Sequence, residues 1–364
     1  MNEKMNFNPG PTALPDEVLT KAQTGLNKEL HSGISILEMS HRSQEYQLIH
    51  DNAKSELRHF LAVPESHDIL FLQGGASLQF TMVPMNLLSK YNTAYHIVTG
   101  SWAEKAFNES QKIGKTQLLA SSKHTTFDRI PKRSDWNVDV FNTPSYLHIT
   151  SNNTIYGTQW QDYEDLPDLP IVMDISSDVG TKDIPWDRVT LAYAGAQKNL
   201  GAAGVTVIII NKELLVDHDT ERPIMLDYNA HAKKGSLHNT PPAFNIYVLG
   251  LMVQWMNQEG GLQEFEDRSN KKSELFYRII DQSNDFYKGH AEKSSRSKMN
   301  VTFKLPTSEL NEAFLRKANE AGFVGISGHR SIGGCRISLY NGIEMEACEK
   351  LAHFMETFKQ VHSN

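Results

Sequence analysis

Cysteine is nearly missing from this chain: of 364 residues, only Cys335 and Cys348 carry a thiol. Two thiols cannot build a disulfide framework or a CxxC metal pattern. Long apolar runs are missing as well. The strongest, VTVIII at 205–210, is strand-sized and far short of a membrane span. The N-terminal MNEKMNFNPGPTALP lacks the apolar core of a secretion signal. Together these absences lead us to expect a soluble cytoplasmic protein with no membrane partner. A basic excess is absent too. The formal net charge of −7 argues against a general nucleic-acid binder, while leaving room for a local basic pocket that takes an anion. There are no repeats and no low-complexity tracts.

What is there is ordinary globular composition, 39% hydrophobic and 22% charged. The length suits one large domain plus a smaller one. NPGPTALP at 8–15 is turn-rich, so residues 1–15 read as an extended segment. In DEVLTKAQTGLNKEL, Val18, Ala22, Leu26 and Leu30 fall four apart, as in an amphipathic helix. Ser43 suits the cap of a second helix with the stripe Tyr46, Ile49, Ala53, Leu57 and Phe60. Strands and helices then alternate. DILFLQ turns through GGAS into a helix that Pro84 should kink or shorten. AYHIVTG, SYLHITS, LPIVMDIS, LAYAGAQ and GVTVIIIN read as further buried strands. This alternation predicts an α/β fold, a mostly parallel sheet between helices. Gly260-Gly261 closes the large domain, 16–261. A long helix from Leu262 to Ser283 opens a smaller α/β domain, 262–364. Its elements are the strand MNVTFKL, a helix with the stripe Leu310, Phe314 and Ala318, the strand CRISLYN and a final helix.

YAGAQKNLGAAG, residues 193–204, surrounds Lys198 with small neighbours. An amine held in a confined, partly dry place can lose its proton and attack an aldehyde to form a Schiff base. Taken alone, the lysine is better explained as a strand-end residue in an ion pair. Asp174 changes that balance. It ends the apolar strand LPIVMDIS, where a carboxylate is costly without a cationic partner. Ligands of open α/β sheets gather beyond the carboxyl ends of strands. An aspartate there suits a pyridoxal phosphate site, where it keeps the pyridine nitrogen protonated. GGAS offers a helix N-terminus to a phosphate. Trp102 can stack on a flat ring, although a core role is the default for tryptophan. Thr154 can donate to a ring hydroxyl, or simply satisfy backbone.

At this point the chain resembles the phosphoserine aminotransferase family, class V members of the fold-type I pyridoxal-phosphate enzymes. The resemblance runs nearly end to end. It rests on FNPGPTALP, MSHRS, QGGAS, GSWAEKA, SNNTIYGTQ, MDISSD, YAGAQKNLGAAG, HNTPPAF, GHRSIGG and CRISLYN. It implies that Lys198 carries the cofactor as a Schiff base, that Asp174 pairs with the ring nitrogen, that Trp102 stacks on the ring and that Thr154 bonds its hydroxyl. Ala76, Ser77 and Gln197 are then phosphate contacts from one subunit. Asn239 and Thr240 are contacts supplied by a second, which implies a homodimer with active sites at its interface. Some members carry GR where this chain has Ala76-Ser77; the cradle is mostly backbone, so cofactor binding should survive the difference.

SHRS (40–43) and GHRS (328–331) each pair a histidine with an arginine, and CRISLYN adds Arg336. Arginine grips carboxylate or phosphate with two parallel hydrogen bonds. Singly, each HR pair is well explained by exposed ion pairs worth ~0–1 kcal/mol. The resemblance assigns Arg336 to the substrate α-carboxylate. It places His41, Arg42, His329 and Arg330 around the distal phosphate or γ-carboxylate of phosphoserine or glutamate. The reaction it implies is reversible amino transfer between glutamate and 3-phosphohydroxypyruvate in serine biosynthesis; some relatives also serve pyridoxine synthesis. The alternatives are a serine– or alanine–glyoxylate type class V transaminase, or a protein that binds the cofactor or an anion without turnover. Cys335 reads as a buried structural thiol. His231 and His238 lack a metal-ligand pattern, and no metal is expected.

Overall fold

Seven runs rich in β-branched and aliphatic residues form the seven strands of one sheet. The computed structural model describes residues 4–28, 33–89, 92–137, 142–215 and 222–363. The strands are β1 (His67–Leu72), β2 (Thr93–Val98), β3 (Thr116–Ser121), β4 (Pro144–Thr150), β5 (Ile171–Asp174), β6 (Val189–Gly195) and β7 (Thr206–Asn211). They lie in the order β1-β7-β6-β5-β4-β2-β3. β7 runs antiparallel to both its neighbours, and every other pair is parallel. The register sets Thr150 beside Asp174 and Asp174 beside Tyr193, so the parallel strands end at one common edge. That edge is where ligands of such sheets sit.

Helices cover both faces. On one, α2 (Gln44–Phe60) and α5 (Ala243–Gln258) pack Ala53, Leu57, Ile246 and Leu249 against Met173 and Ala192. On the other, α3 (Gly75–Leu87) and α4 (Ser101–Ile113) pack Phe80, Val83 and Ala106 against Val172, Leu191 and Tyr193. A separate core forms around an antiparallel sheet of β8 (Lys288–Gly289), β9 (Asn300–Lys304) and β10 (Cys335–Ser338). Three helices enclose it: α6 (Gly261–Asp281), α7 (Ser308–Glu320) and α8 (Met345–His362). The N-terminus joins this second core. Met5–Asn6 pairs in parallel with Phe323–Val324, and Phe7 is buried among the C-terminal aromatics.

Several expectations are corrected. The first helix, α1 (Asp16–Thr24), stops before Gly25 and Leu26; Leu30 lies outside the described residues. At the end of the helix Gly25 rests on the ring of Tyr247, where a Cβ would come within 2.4 Å, so only glycine fits there. Pro84 does not shorten α3, which continues to Leu87. β3 carries too few consecutive apolar residues, TQLLAS, to stand out in the sequence. Ser43 does cap α2, its Oγ accepting the Tyr46 N–H at 3.2 Å. His50 takes a buried place in the stripe while Ile49 is only half-buried.

Phe314 is fully buried, with the rings of Tyr287, Phe303, Phe354 and Phe358 within 6 Å of it. Phe314→Ala should cost about 3–5 kcal/mol of stability, read as a lower urea midpoint, and Phe314→Leu clearly less.

Candidate active site

Lys198 stands just past the end of β6, in the turn that leads to β7. Around it is a cavity of about 300 Å³ lined by Gly75, Ala76, Ser77, Trp102, Thr154, Asp174, Gln197, Lys198, His329 and Arg336, among others. Thus nine of the residues singled out in the sequence meet in one place. Pro9, Gly10, Phe80, Ile155 and Ser176 complete the wall. The sequence signal for Pro9 and Gly10 was only a turn. Gly10 sits at φ +127°, and a Cβ there would lie 3.2 Å from Lys198 Cγ, so glycine gives the lysine stem its room. The glycines after the lysine serve another purpose. Gly201, at φ +138°, lies against the backbone of Leu249 and seats the turn on α5.

The two charges at the centre sit largely out of water. Asp174 is 5% exposed, and burial pushes its carboxyl pKa up, against the opposing pull of Lys198 and of hydrogen bonds from Ser176. The Ser176 N–H donates to Asp174 Oδ1 at 3.0 Å, while Ser176 Oγ accepts the Gly195 N–H at 3.1 Å. Desolvation holds the Lys198 amine below its ordinary range. Asp174 and Asp178 pull it back up, and Arg336 pushes it further down. Beside Asp174, Tyr193 bonds His148 Nε2 at 2.8 Å, and His148 stacks on His96. Burial holds both imidazoles neutral, His148 down to about 3.

Thr154 ties the remaining wall together. Its Oγ1 accepts from Trp102 Nε1 at 3.2 Å, which leaves its own O–H to donate elsewhere. Its carbonyl accepts from Arg336 Nη1 at 3.3 Å. Arg336 is 7% exposed, and its Nε has no partner among the described residues. A buried guanidinium with donors to spare on a cavity wall is suited to an anion. His329 Nδ1 accepts the Ser331 N–H at 3.2 Å. The same Nδ1 lies 2.7 Å from Ser331 Oγ, so Ser331 holds the ring on the cavity wall.

The fit to pyridoxal phosphate can be read from these groups. α3 starts from Gly74 with no side-chain cap and no acidic residue in its first turn, which leaves its N-terminal amides to an anion. No atom stands within 4 Å of where a Gly75 Cβ would be. An aldehyde-reactive amine, a buried carboxylate, an indole and a hydroxyl donor face the same space, so the donor set matches the cofactor.

Other expected residues lie elsewhere. Arg330 and Arg42 are exposed, and neither they nor His41 line the cavity. Asn239 and Thr240 are held against Gln73, by Asn239 Nδ2 to Gln73 Oε1 at 3.3 Å and by Gln73 Nε2 to the Thr240 carbonyl at 3.2 Å. They too stay out of this chain's own Lys198 cavity. Cys335 is buried, and burial pushes its thiol well up. His231 bonds the Met225 carbonyl. Among the described residues no group of His, Cys, Asp or Glu could hold a metal ion, and no helix is long and apolar enough to cross a membrane.

The family model for class-V aminotransferases matches residues 4–351. A phosphoserine aminotransferase of Halalkalibacterium halodurans is 51% identical over 362 residues, covering 100% of both chains. A solved phosphoserine aminotransferase structure, recording radiation damage of its Schiff base, matches with a TM-score of 0.96 at 46% identity, over 99% of this chain and 100% of its own. The pyridoxal-phosphate-bound phosphoserine aminotransferase of Trichomonas vaginalis matches with a TM-score of 0.92 at 32% identity, over 97% of this chain and 100% of its own.

The opposing pulls on Lys198 give a sign test in the apoprotein. Asp174→Asn removes a negative neighbour, so the pH at which Lys198 becomes reactive to an amine-labelling reagent should fall. Arg336→Ala removes a positive neighbour, and the same midpoint should rise. Mass spectrometry of the Lys198 peptide across a pH series reads both.

Proposed function

The chain belongs to the class-V aminotransferases, whose cofactor is pyridoxal phosphate, and from that premise we propose that it works as a phosphoserine aminotransferase of serine biosynthesis. It exchanges an amino group between glutamate and 3-phosphohydroxypyruvate, giving 2-oxoglutarate and O-phosphoserine. The observation that carries the reading is the meeting of Lys198, Asp174, Arg336 and the open start of α3 in one cavity. When bound, the cofactor supplies an electron-accepting ring that spreads negative charge from the substrate α-carbon.

The protein's own groups divide the remaining work. Ala76, Ser77 and Gln197 hold the cofactor phosphate, with the dipole end of α3 behind them. Trp102 would stack on the ring and Thr154 would donate to its hydroxyl. The Asp174 carboxylate, dry and facing a cation, holds a proton on the ring nitrogen. Arg336 Nε and Nη donate to the substrate α-carboxylate and so point its α-carbon at Lys198. Once the substrate is in place, Lys198 Nζ takes the α-proton. In the opposite half-reaction the protonated Lys198 Nζ delivers a proton to the α-carbon of the keto acid. The depressed basicity of the buried amine helps here, because it leaves a larger unprotonated fraction near neutral pH.

Both substrates carry a second anion beyond the α-carboxylate. His329 on the cavity wall, with Arg330 beside it, suits that end. His41, Arg42, Asn239 and Thr240 lie outside the cavity of their own chain, and this supports a homodimer in which each subunit completes the other's site. Asn239 and Thr240 then reach the partner's cofactor phosphate, and His41 and Arg42 the distal anion of the partner's substrate. We place this dimer in the cytoplasm.

Lys198→Ala should lose the aldehyde-dependent absorption band together with at least ~10³-fold in turnover. Arg336→Ala should raise KM for glutamate and for phosphoserine by at least about tenfold. Full turnover in the first variant, or unchanged constants in the second, refutes the role assigned. For the dimer, mixing inactive Lys198→Ala subunits with subunits inactivated by Asn239→Ala and Thr240→Ala should restore activity. Each hybrid contains one site with both sets of residues intact. A mixture that stays inactive after confirmed subunit exchange counts against shared sites.

A further inference from the structure

Asn199 follows Lys198 in the chain and is fully buried. Both ends of its amide are engaged. Nδ2 donates to the carbonyls of Ser177 at 3.4 Å and Val179 at 3.0 Å, in the turn just beyond Asp174. Oδ1 accepts the backbone N–H of Asn341 at 3.0 Å, in the segment just beyond Arg336. One side chain therefore touches the run that follows the carboxylate and the run that follows the guanidinium, and is itself bonded in sequence to the amine.

The segment after Arg336 has little freedom otherwise. Lys272 Nζ donates to the carbonyls of Tyr340 and Ile343, both at 3.1 Å. The Tyr340 hydroxyl donates to the Pro9 carbonyl at 3.1 Å, and Pro9 is itself part of the cavity wall. A Cβ at Gly342 would lie 2.3 Å from the Ala13 carbonyl oxygen. These contacts fix the segment to α6 and to the N-terminal stretch. Asn199 carries the connection to the turn that bears Lys198. The Asn341 side chain adds a second bond to that side, Nδ2 to the Gly180 carbonyl at 3.2 Å.

We propose that Asn199 is a positioning residue that fixes the separation between the Lys198 amine and the Arg336 guanidinium. It acts through the Asn341 backbone and touches no substrate. The inference rests on the reading of Arg336 as the α-carboxylate site. In an α-amino acid the carboxylate that Arg336 grips and the hydrogen that Lys198 removes are attached to the same carbon, so the two groups tolerate little relative displacement. A misplacement of about 1 Å can cost on the order of 10²-fold.

Asn199→Leu keeps the approximate shape and deletes all three hydrogen bonds. In the holoenzyme, KM for glutamate and for phosphoserine should rise by at least about tenfold, and kcat should fall with it because the α-carbon is no longer aimed at Lys198. Amide hydrogen exchange at Asn341 should quicken. In an Arg336→Ala background the same substitution should leave KM unaltered, because the group being positioned is gone. If Asn199→Leu does not fold, Asn199→Ser, too short to reach Asn341, carries the same expectations. An equal KM penalty with and without Arg336, or faster exchange with KM unchanged, overturns the proposal. Should Arg336→Ala by itself leave both KM values unchanged, the premise fails, and that result is distinguishable because it needs no change at Asn199.

Discussion

A buried amine and a buried carboxylate facing one cavity are the constraint on which the rest is built. Neither charge is well tolerated out of water on its own. Burial drives Lys198 towards its neutral form and Asp174 towards its protonated form, and each resists the other's change. The fold meets the cost with directed bonds. Ser176 donates to the carboxylate, the parallel register of β4, β5 and β6 sets it at the sheet edge, and Gly10 leaves space for the lysine stem. A cofactor that consumes the amine and offers a ring nitrogen to the carboxylate answers both needs at once.

Polar groups also join the two cores. Asn152 donates to Ser177 Oγ at 2.8 Å and to Asn300 Oδ1 at 2.9 Å, and Ser297 Oγ donates to Asn152 Oδ1 at 2.5 Å. Asn300 in turn donates to Ser338 Oγ at 3.2 Å, on the strand that carries Arg336. Hydrogen bonds of this kind add about 1 kcal/mol each, and their value here is direction more than strength. Apolar surfaces can slide by a fraction of an ångström at little cost. A buried amide with every donor matched cannot, and Arg336 and Lys198 sit on opposite sides of this seam.

Much of this was legible in the sequence, for physical reasons. Strands buried on both faces must be continuous apolar runs, so β1, β2, β4, β5, β6 and β7 announced themselves. β3 did not, because TQLLAS is short and polar at both ends. The helical period carried α1 past its true end, and nothing local reveals that Gly25 meets the Tyr247 ring. Lys198 and Asp174 stood out because charge beside small or apolar residues is expensive. Arg336, on a strand, arrived at the cavity, whereas Arg42 and Arg330 are exposed. Asn199 and Asn341 lie inside motifs that carry the resemblance, YAGAQKNLGAAG and CRISLYN, but nothing in them singles out either residue. An asparagine that bridges two distant turns looks like any loop asparagine until the turns are brought together.

The pairing of Met5–Asn6 with Phe323–Val324 has a consequence for how the molecule is made. A ribosome delivers Pro9 and Gly10 long before Arg336, yet all three wall the same cavity. The nascent sheet can assemble around Asp174 and Lys198 while one side of the pocket is still absent. Until Phe323–Val324 emerges, the strand at Met5–Asn6 has no neighbour to join. The cavity wall is therefore closed only after Arg336 has been made.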